Sequence, residues 1–189
     1  MAETRPGGRT ARTREAVHAA VRALWAEGRD PLTVREVSAR SGVHEVTIYR
    51  RWKNVEALAL DVAVTRMNEQ SPFPDSGELR RDLIDWARSV ADRVDTREGF
   101  AFYRAIAAAT ASHGAGHGPA TEAAAIHLRR RTDQIQQVLD RAAADGAPRL
   151  TVEHVFDVVL APIYLRAIFG YSTPGMDLEV LVDRVLTTP

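Results

Sequence analysis

Apolar residues recur every three to four positions along most of the chain, and no stretch alternates apolar and polar for long enough to read as a strand. The pattern predicts an all-α protein. A first helix is expected over about residues 10–27, with Val17, Val21, Leu24 and Trp25 on one face and Gly28 ending it. Asp30-Pro31 marks a turn. Thr33 is placed to cap a short helix over 33–41, with Glu36 three residues on as its capping-box partner. Gly42 breaks the chain, a second short helix covers 44–51, and Asn54 caps a longer one over 55–70.

Residues 71–75 hold two prolines and read as a stop and a linker. Beyond them helices are expected over 78–94, 97–112, 121–144, 152–170 and 177–187, with Thr96 and Thr151 as caps. Pro162 should bend the fourth of these. His113 to Pro119 is rich in glycine and reads as a loop. The order suggests a polar arm (1–9), a small helical head (10–53), a connecting helix (54–70) and a larger helical body (71–189).

Charge changes the picture. The chain has 25 basic and 25 acidic residues, for a net charge of zero. Residues 1–53 nonetheless carry 11 basic and 6 acidic side chains, and the rest is acidic by the same margin. A basic head on an acidic body is the asymmetry expected when one end meets phosphate. Composition otherwise fits a globular protein, with 45% hydrophobic residues. Cysteine is absent, which excludes disulfides, thiolate catalysis and cysteine-ligated zinc. No apolar run approaches the ~20 residues that cross a bilayer, and the arginine-rich start lacks the apolar core of a signal peptide, so a cytoplasmic location is expected.

The informative segment is Thr33 to Trp52. Two short helices joined by a tight turn with glycine form a helix-turn-helix. Val37, Val43 and Ile48 should face inward, Ser38 is small where the helices approach, and Gly42 supplies the left-handed turn. The N-terminal residues of the second helix are the ones that reach base edges in a major groove. His44, Glu45 and Val46 lie at that tip: Glu45 could accept from cytosine N4, and Val46 could pack on a thymine methyl. Thr47, Tyr49, Arg50 and Lys53 suit phosphate oxygens, as do Thr33, Arg35 and the backbone N–H groups opening their helix. Arg5, Arg9 and Arg12 could add minor-groove or counterion-release affinity.

From about Thr10 to Asp61 the chain resembles the DNA-binding domain of TetR-type repressors. The resemblance rests on Leu32-Thr33-Val34, Ser41-Gly42-Val43, Thr47-Ile48-Tyr49-Arg50-Arg51-Trp52 and Glu56-Ala57-Leu58 at fixed offsets. It implies a homodimer on palindromic double-stranded operator DNA, released by a small molecule. One position departs from the pattern. The lysine usual just before the glutamate of the fourth helix is Val55 here, and Lys53, the single lysine, stands two residues earlier.

In the body, helix 152–170 is apolar nearly all round and must be covered on more than one side. With helix 121–144 it resembles the family's four-helix dimer interface, for which Leu128, Ile135, Val159 and Ile163 are candidates. The alternative is a wholly internal helix. A ligand pocket would lie near Trp86, Phe100, Tyr103 and Arg104, with Tyr164 from the far side and Arg104 as an anchor for an anion. His113 and His117 lack an acidic companion, so no metal or other cofactor is expected. Arg129-Arg130-Arg131 reads as a solvated helix face. No phosphate-binding glycine loop, Gly-x-Ser-x-Gly or His-Glu-x-x-His is present, which leaves an enzyme the remote alternative and a regulator without an effector the nearer one.

Overall fold

The computed structural model describes residues 8–70, 73–111, 119–171 and 176–187, and all regular structure among them is helical. The helices are α1 (Arg9–Ala26), α2 (Val34–Ser41), α3 (Glu45–Trp52), α4 (Val55–Gln70), α5 (Leu79–Val94), α6 (Arg97–Ala111), α7 (Pro119–Ala144), α8 (Val152–Val155), α9 (Ala161–Phe169) and α10 (Leu178–Thr187). The expected elements all form, with ends shifted by one or two residues where caps are ambiguous. Residues 1–7 of the expected arm and 113–118 of the expected loop lie outside the described residues, and Arg9, the last residue of that arm, opens α1. Pro119 opens α7, a position where its missing N–H costs nothing.

The bend expected at Pro162 takes a specific form. Phe156–Leu160 is a π-helical turn joining α8 to α9, in which the Ala161 N–H bonds back to the Phe156 carbonyl. Proline cannot donate to the preceding turn, and the widened turn before it takes up the mismatch.

Two apolar cores are packed. The first gathers Val17, Val21, Trp25, Val37, Ile48 and Trp52 of α1–α3 around Leu58 and Val62 of α4. The second gathers Leu83, Trp86 and Val90 of α5 with Ile135, Leu139, Val155, Val159, Ile163 and Val182. The head core is not closed by α1–α3 alone. Helix α4 completes it, and α6 inserts Ala101 and Phe102 from the body side. Tyr103, the next residue of α6, packs against both cores. Gly99 lets α6 start this close to α5, because an added Cβ would stand 2.0 Å from the Arg93 carbonyl oxygen. Gln136 fastens α7 to the start of α8: its amide donates to the Leu150 carbonyl and accepts from the Val152 N–H.

Candidate nucleic-acid interface and ligand region

Local signals set the reading head. Thr33 caps α2 through a complete capping box: its hydroxyl oxygen accepts from the Glu36 N–H at 3.2 Å, and Glu36 accepts from the Thr33 N–H at 2.9 Å. Those two N–H groups are thereby taken, which narrows the phosphate site expected at this terminus. Gly42 adopts φ +69°, the left-handed conformation that closes the turn. His44 caps α3, its Nδ1 accepting from the Val46 N–H at 3.3 Å. A neutral His44 then carries its proton on Nε2, leaving a donor for a base or phosphate.

The burial pattern of α3 separates its two faces. Ile48 and Trp52 are buried in the head core. Val46 is 67% exposed and Tyr49 is 49% exposed, although both are large hydrophobic side chains. Arg35, His44, Arg50 and Lys53 are exposed too, and Glu45 and Thr47 are half-buried. The arginines of the head divide. Arg14, Arg22 and Arg40 are paired with Asp61, Glu15 and Glu27, and Arg51 stacks over the Trp52 ring. Arg35, Arg50 and Lys53 form no ion pair among the described residues. Lys53 ends α3 with φ +67°, a conformation non-glycine residues seldom adopt.

A cluster that the sequence reading missed fixes α3 from behind. Asp61 of α4 accepts from Arg14 Nη2 at 2.8 Å and Trp52 Nε1 at 2.8 Å, and pairs with His18 Nε2 at 3.0 Å. Three helices therefore meet on one carboxylate, which burial penalises but hydrogen bonds from His18, Arg14 and Trp52 hold well below the usual carboxylate range. The signal was legible: an acid in the middle of the run Ala57-Leu58-Ala59-Leu60-Asp61-Val62-Ala63-Val64 needs a partner.

Comparison with known proteins agrees with this geometry. Residues 16–62 match the family model of bacterial regulatory proteins of the tetR family. Residues 73–185 match the tetracyclin repressor-like C-terminal domain model, which spans more than half of the chain. The chain belongs to the TetR family. It is a helix-turn-helix transcriptional regulator that binds DNA. It is 36% identical over 97 residues to the regulator AqdR of Rhodococcus erythropolis, covering 51% of this chain and 47% of that protein. The match to AqdR thus spans about half of that relative's length. It is 27% identical over 150 residues to the uncharacterized regulator YdeS of Bacillus subtilis, covering 76% of this chain and 71% of that one. The crystal structure of the TetR family regulator SCO0332 superposes with a TM-score of 0.67 at 25% identity, covering 94% of this chain and 99% of that one.

The body of this TetR-family chain rearranges the residues expected there. Trp86 is buried between Phe73 and Phe156. Phe100, Tyr103 and Tyr164 are half-buried against the body core, and the Tyr103 and Tyr164 rings meet edge to face with centroids 4.7 Å apart. Arg104 does not join them. It is exposed and pairs at 3.0 Å with Asp30, in the turn between α1 and α2. Arg131 is not a solvated residue either: it is half-buried, whereas Arg129 and Arg130 are exposed.

The dimer residues need correction too. Ile135 is 1% exposed and Val159 and Ile163 are 0% exposed within a single chain, so they have no surface left to offer a partner. Leu128 remains half-buried. Exposed apolar side chains lie on the opposite side of α9, at Leu165, Ile168 and Phe169, with Tyr171 just beyond, Ile126 on α7 and Val180 on α10. Among the described residues no three His, Asp or Glu side chains are grouped to hold a metal. No described helix is long and apolar enough to cross a membrane.

Proposed function

We propose that this chain is a repressor that grips an inverted-repeat operator as a homodimer in the cytoplasm and is released by a small-molecule effector. One observation carries the DNA-reading surface: α3 buries Ile48 and Trp52 but leaves Val46 and Tyr49 in solvent beside Arg50 and Lys53. Apolar groups exposed among cations, on a helix pinned from behind by Asp61, fit a major groove: methyl contact at the tip, phosphate contact on the flanks. Thr33, Arg35, Thr47 and Arg50 supply further backbone contacts, and His44 and Glu45 lie with Val46 nearest the bases.

The dimer reading now rests on the α9 end. Leu165, Ile168, Phe169 and Tyr171 form an exposed apolar group larger than scattered surface residues explain, and a second copy of the same group is its natural cover. Two heads also read twice as many base pairs as one. The effector reading rests on α6. This helix contributes Phe102 to the head core and Tyr103 to both cores, so a ligand beside Tyr103 and Tyr164 bears on an element that the head itself packs on.

The test is selection from a random DNA library with the purified protein, then salt titration on the best site. The expected result is an inverted repeat bound with a steep salt dependence. Weak, sequence-indifferent binding that Tyr49→Ala leaves unchanged would overturn it.

A further inference from the structure

His44 caps α3 in a way that fixes what it can offer to DNA. Its Nδ1 accepts from the Val46 N–H at 3.3 Å, which satisfies one of the donors left free at the start of a helix. Accepting that bond requires an unprotonated Nδ1, so the ring proton sits on Nε2. The two nitrogens lie on opposite flanks of the ring. With Nδ1 turned to the helix, the Nε2–H points away from it. The side chain is exposed, and Nε2 has no hydrogen-bond partner among the described residues. The tip of the reading helix therefore carries an N–H donor that the cap keeps from becoming an acceptor.

Its neighbours differ in kind. Glu45 opens α3, is half-buried and forms no ion pair among the described residues, and a carboxylate offers acceptors only. Val46 offers methyl surface and is 67% exposed. In the major groove guanine presents two adjacent acceptors, N7 and O6, and cytosine presents only its N4 amino donor. Adenine sets an amino donor beside its N7, which repels an approaching N–H, and thymine has one acceptor beside its methyl group. A single donor thus ranks the bases: guanine first, adenine and thymine behind it, cytosine last. Phosphate is the other acceptor a surface N–H can meet. Position decides between them, because His44 stands at the N-terminal end of α3, the end that reaches base edges, whereas Arg50 and Lys53 lie towards its far end.

We propose that His44 is a specificity-determining residue whose Nε2–H reads the N7 of a guanine in each half of the operator, and that cytosine is excluded there. The inference rests on the operator reading above and names a base which that reading leaves open.

The test uses the full chain and the site recovered by library selection. Each guanine of a half-site is replaced in turn by 7-deazaguanine, which pairs normally but lacks the N7 acceptor. One replacement should weaken binding about tenfold, and cytosine at the same position should weaken it further. His44→Ser keeps a strong N-cap but withdraws the outward donor. It should leave Tm within about 2 °C and bind the natural site about tenfold more weakly. It should also no longer distinguish guanine from 7-deazaguanine at that position. His44→Asn supplies both a cap acceptor and an outward N–H, so part of the distinction should return. A half-site without guanine, a site indifferent to every 7-deaza replacement, or a sensitive guanine that stays sensitive in His44→Ser would overturn the proposal and leave the operator reading intact. An equal loss on all DNA sequences in His44→Ser would do the same, because it marks a phosphate contact. The 7-deaza comparison on the wild-type chain stands even if a variant fails to fold. A library that yields no preferred site would sink the operator reading and this one with it.

Discussion

The Asp61 cluster of the head and the Arg93–Arg131 cluster of the body are both polar groups set among packed helices, but their charges are arranged in opposite ways. Asp61 gathers one cation, one imidazole and one indole N–H around a single carboxylate. Arg93 and Arg131 are like charges within electrostatic reach of each other, and Arg93 also reaches the half-buried Tyr164. A closed set of opposite charges makes α1, α3 and α4 behave as one block. Like charges within reach of each other do not draw their helices together in that way. The difference separates a cluster that ties three helices together from one that does not.

Removing the closed set should have the largest effect. Asp61→Ala leaves His18, which is 2% exposed, and the Trp52 N–H without their acceptor. The expected loss is about 3 kcal/mol, which lowers Tm by roughly 6–12 °C for a domain of this size. Operator affinity should fall with it, because Trp52 loses the contact that orients α3. The same carboxylate makes stability depend on pH. Its folded pKa lies well below its ordinary 3.8, so the stabilisation is fully present above that value, begins to drain away below it and is gone only once pH has fallen through the lower folded pKa. Thermal melts of wild type and Asp61→Asn between about pH 6 and 3 should therefore converge towards the acid end. Curves that run parallel would show that Asp61 is not the group titrating.

The second prediction separates surface from core within the head. Tyr49→Ala and Lys53→Ala should each weaken operator binding by about tenfold while leaving Tm within about 2 °C. Lys53→Ala should also reduce the salt slope by about one, as loss of one phosphate contact requires. Unchanged binding by both would show that the exposed face of α3 is not what meets DNA.

How far these features could be seen in the sequence follows from their range. The helix-turn-helix was legible because its signals are local: Thr33 with Glu36, Gly42 and Asn54 act on their own turns, and the observed capping box and φ of Gly42 are those signals realised. The body was legible only as a set of helices. Helix α9 and the turn before it are apolar nearly all round, so spacing alone could not tell the buried stripe of Val159 and Ile163 from the exposed one of Ile168 and Phe169. Arg131 stands in a run of three arginines, and its half-burial is decided by how α7 packs on helices distant in sequence. Arg104 looked like a pocket residue because it follows Tyr103, yet successive positions on a helix point about 100° apart. Asp61 lay between these cases: its burial was readable from the apolar run around it, but its three partners come from 9 to 47 positions away.

A smaller effect is expected at the cap. Thr33→Ala should cost about 1 kcal/mol by removing the acceptor for the Glu36 N–H, and Thr33→Ser should recover most of it. A Tm that falls equally for both would mean that the methyl contact, not the cap, holds the start of α2.

The smallest change in stability should come from the join between head and body. Arg104 and Asp30 form an ion pair that is largely in water, with Arg104 54% exposed, so Arg104→Ala should cost between about zero and 1 kcal/mol. Its effect on response should be larger than its effect on melting. Arg104 lies one residue from Tyr103 on α6, and the pair ties that helix to the turn between α1 and α2. A ligand that shifts α6 transmits its displacement to the head partly through this contact. Without it, the ligand should bind as before, while the ligand concentration needed to free the operator rises several-fold. Measuring ligand affinity and operator release on the same variant separates the two quantities. If both are unchanged, the coupling runs wholly through the apolar contacts of Ala101 and Phe102 in the head core, and the Asp30–Arg104 pair is a surface contact with no part in the response.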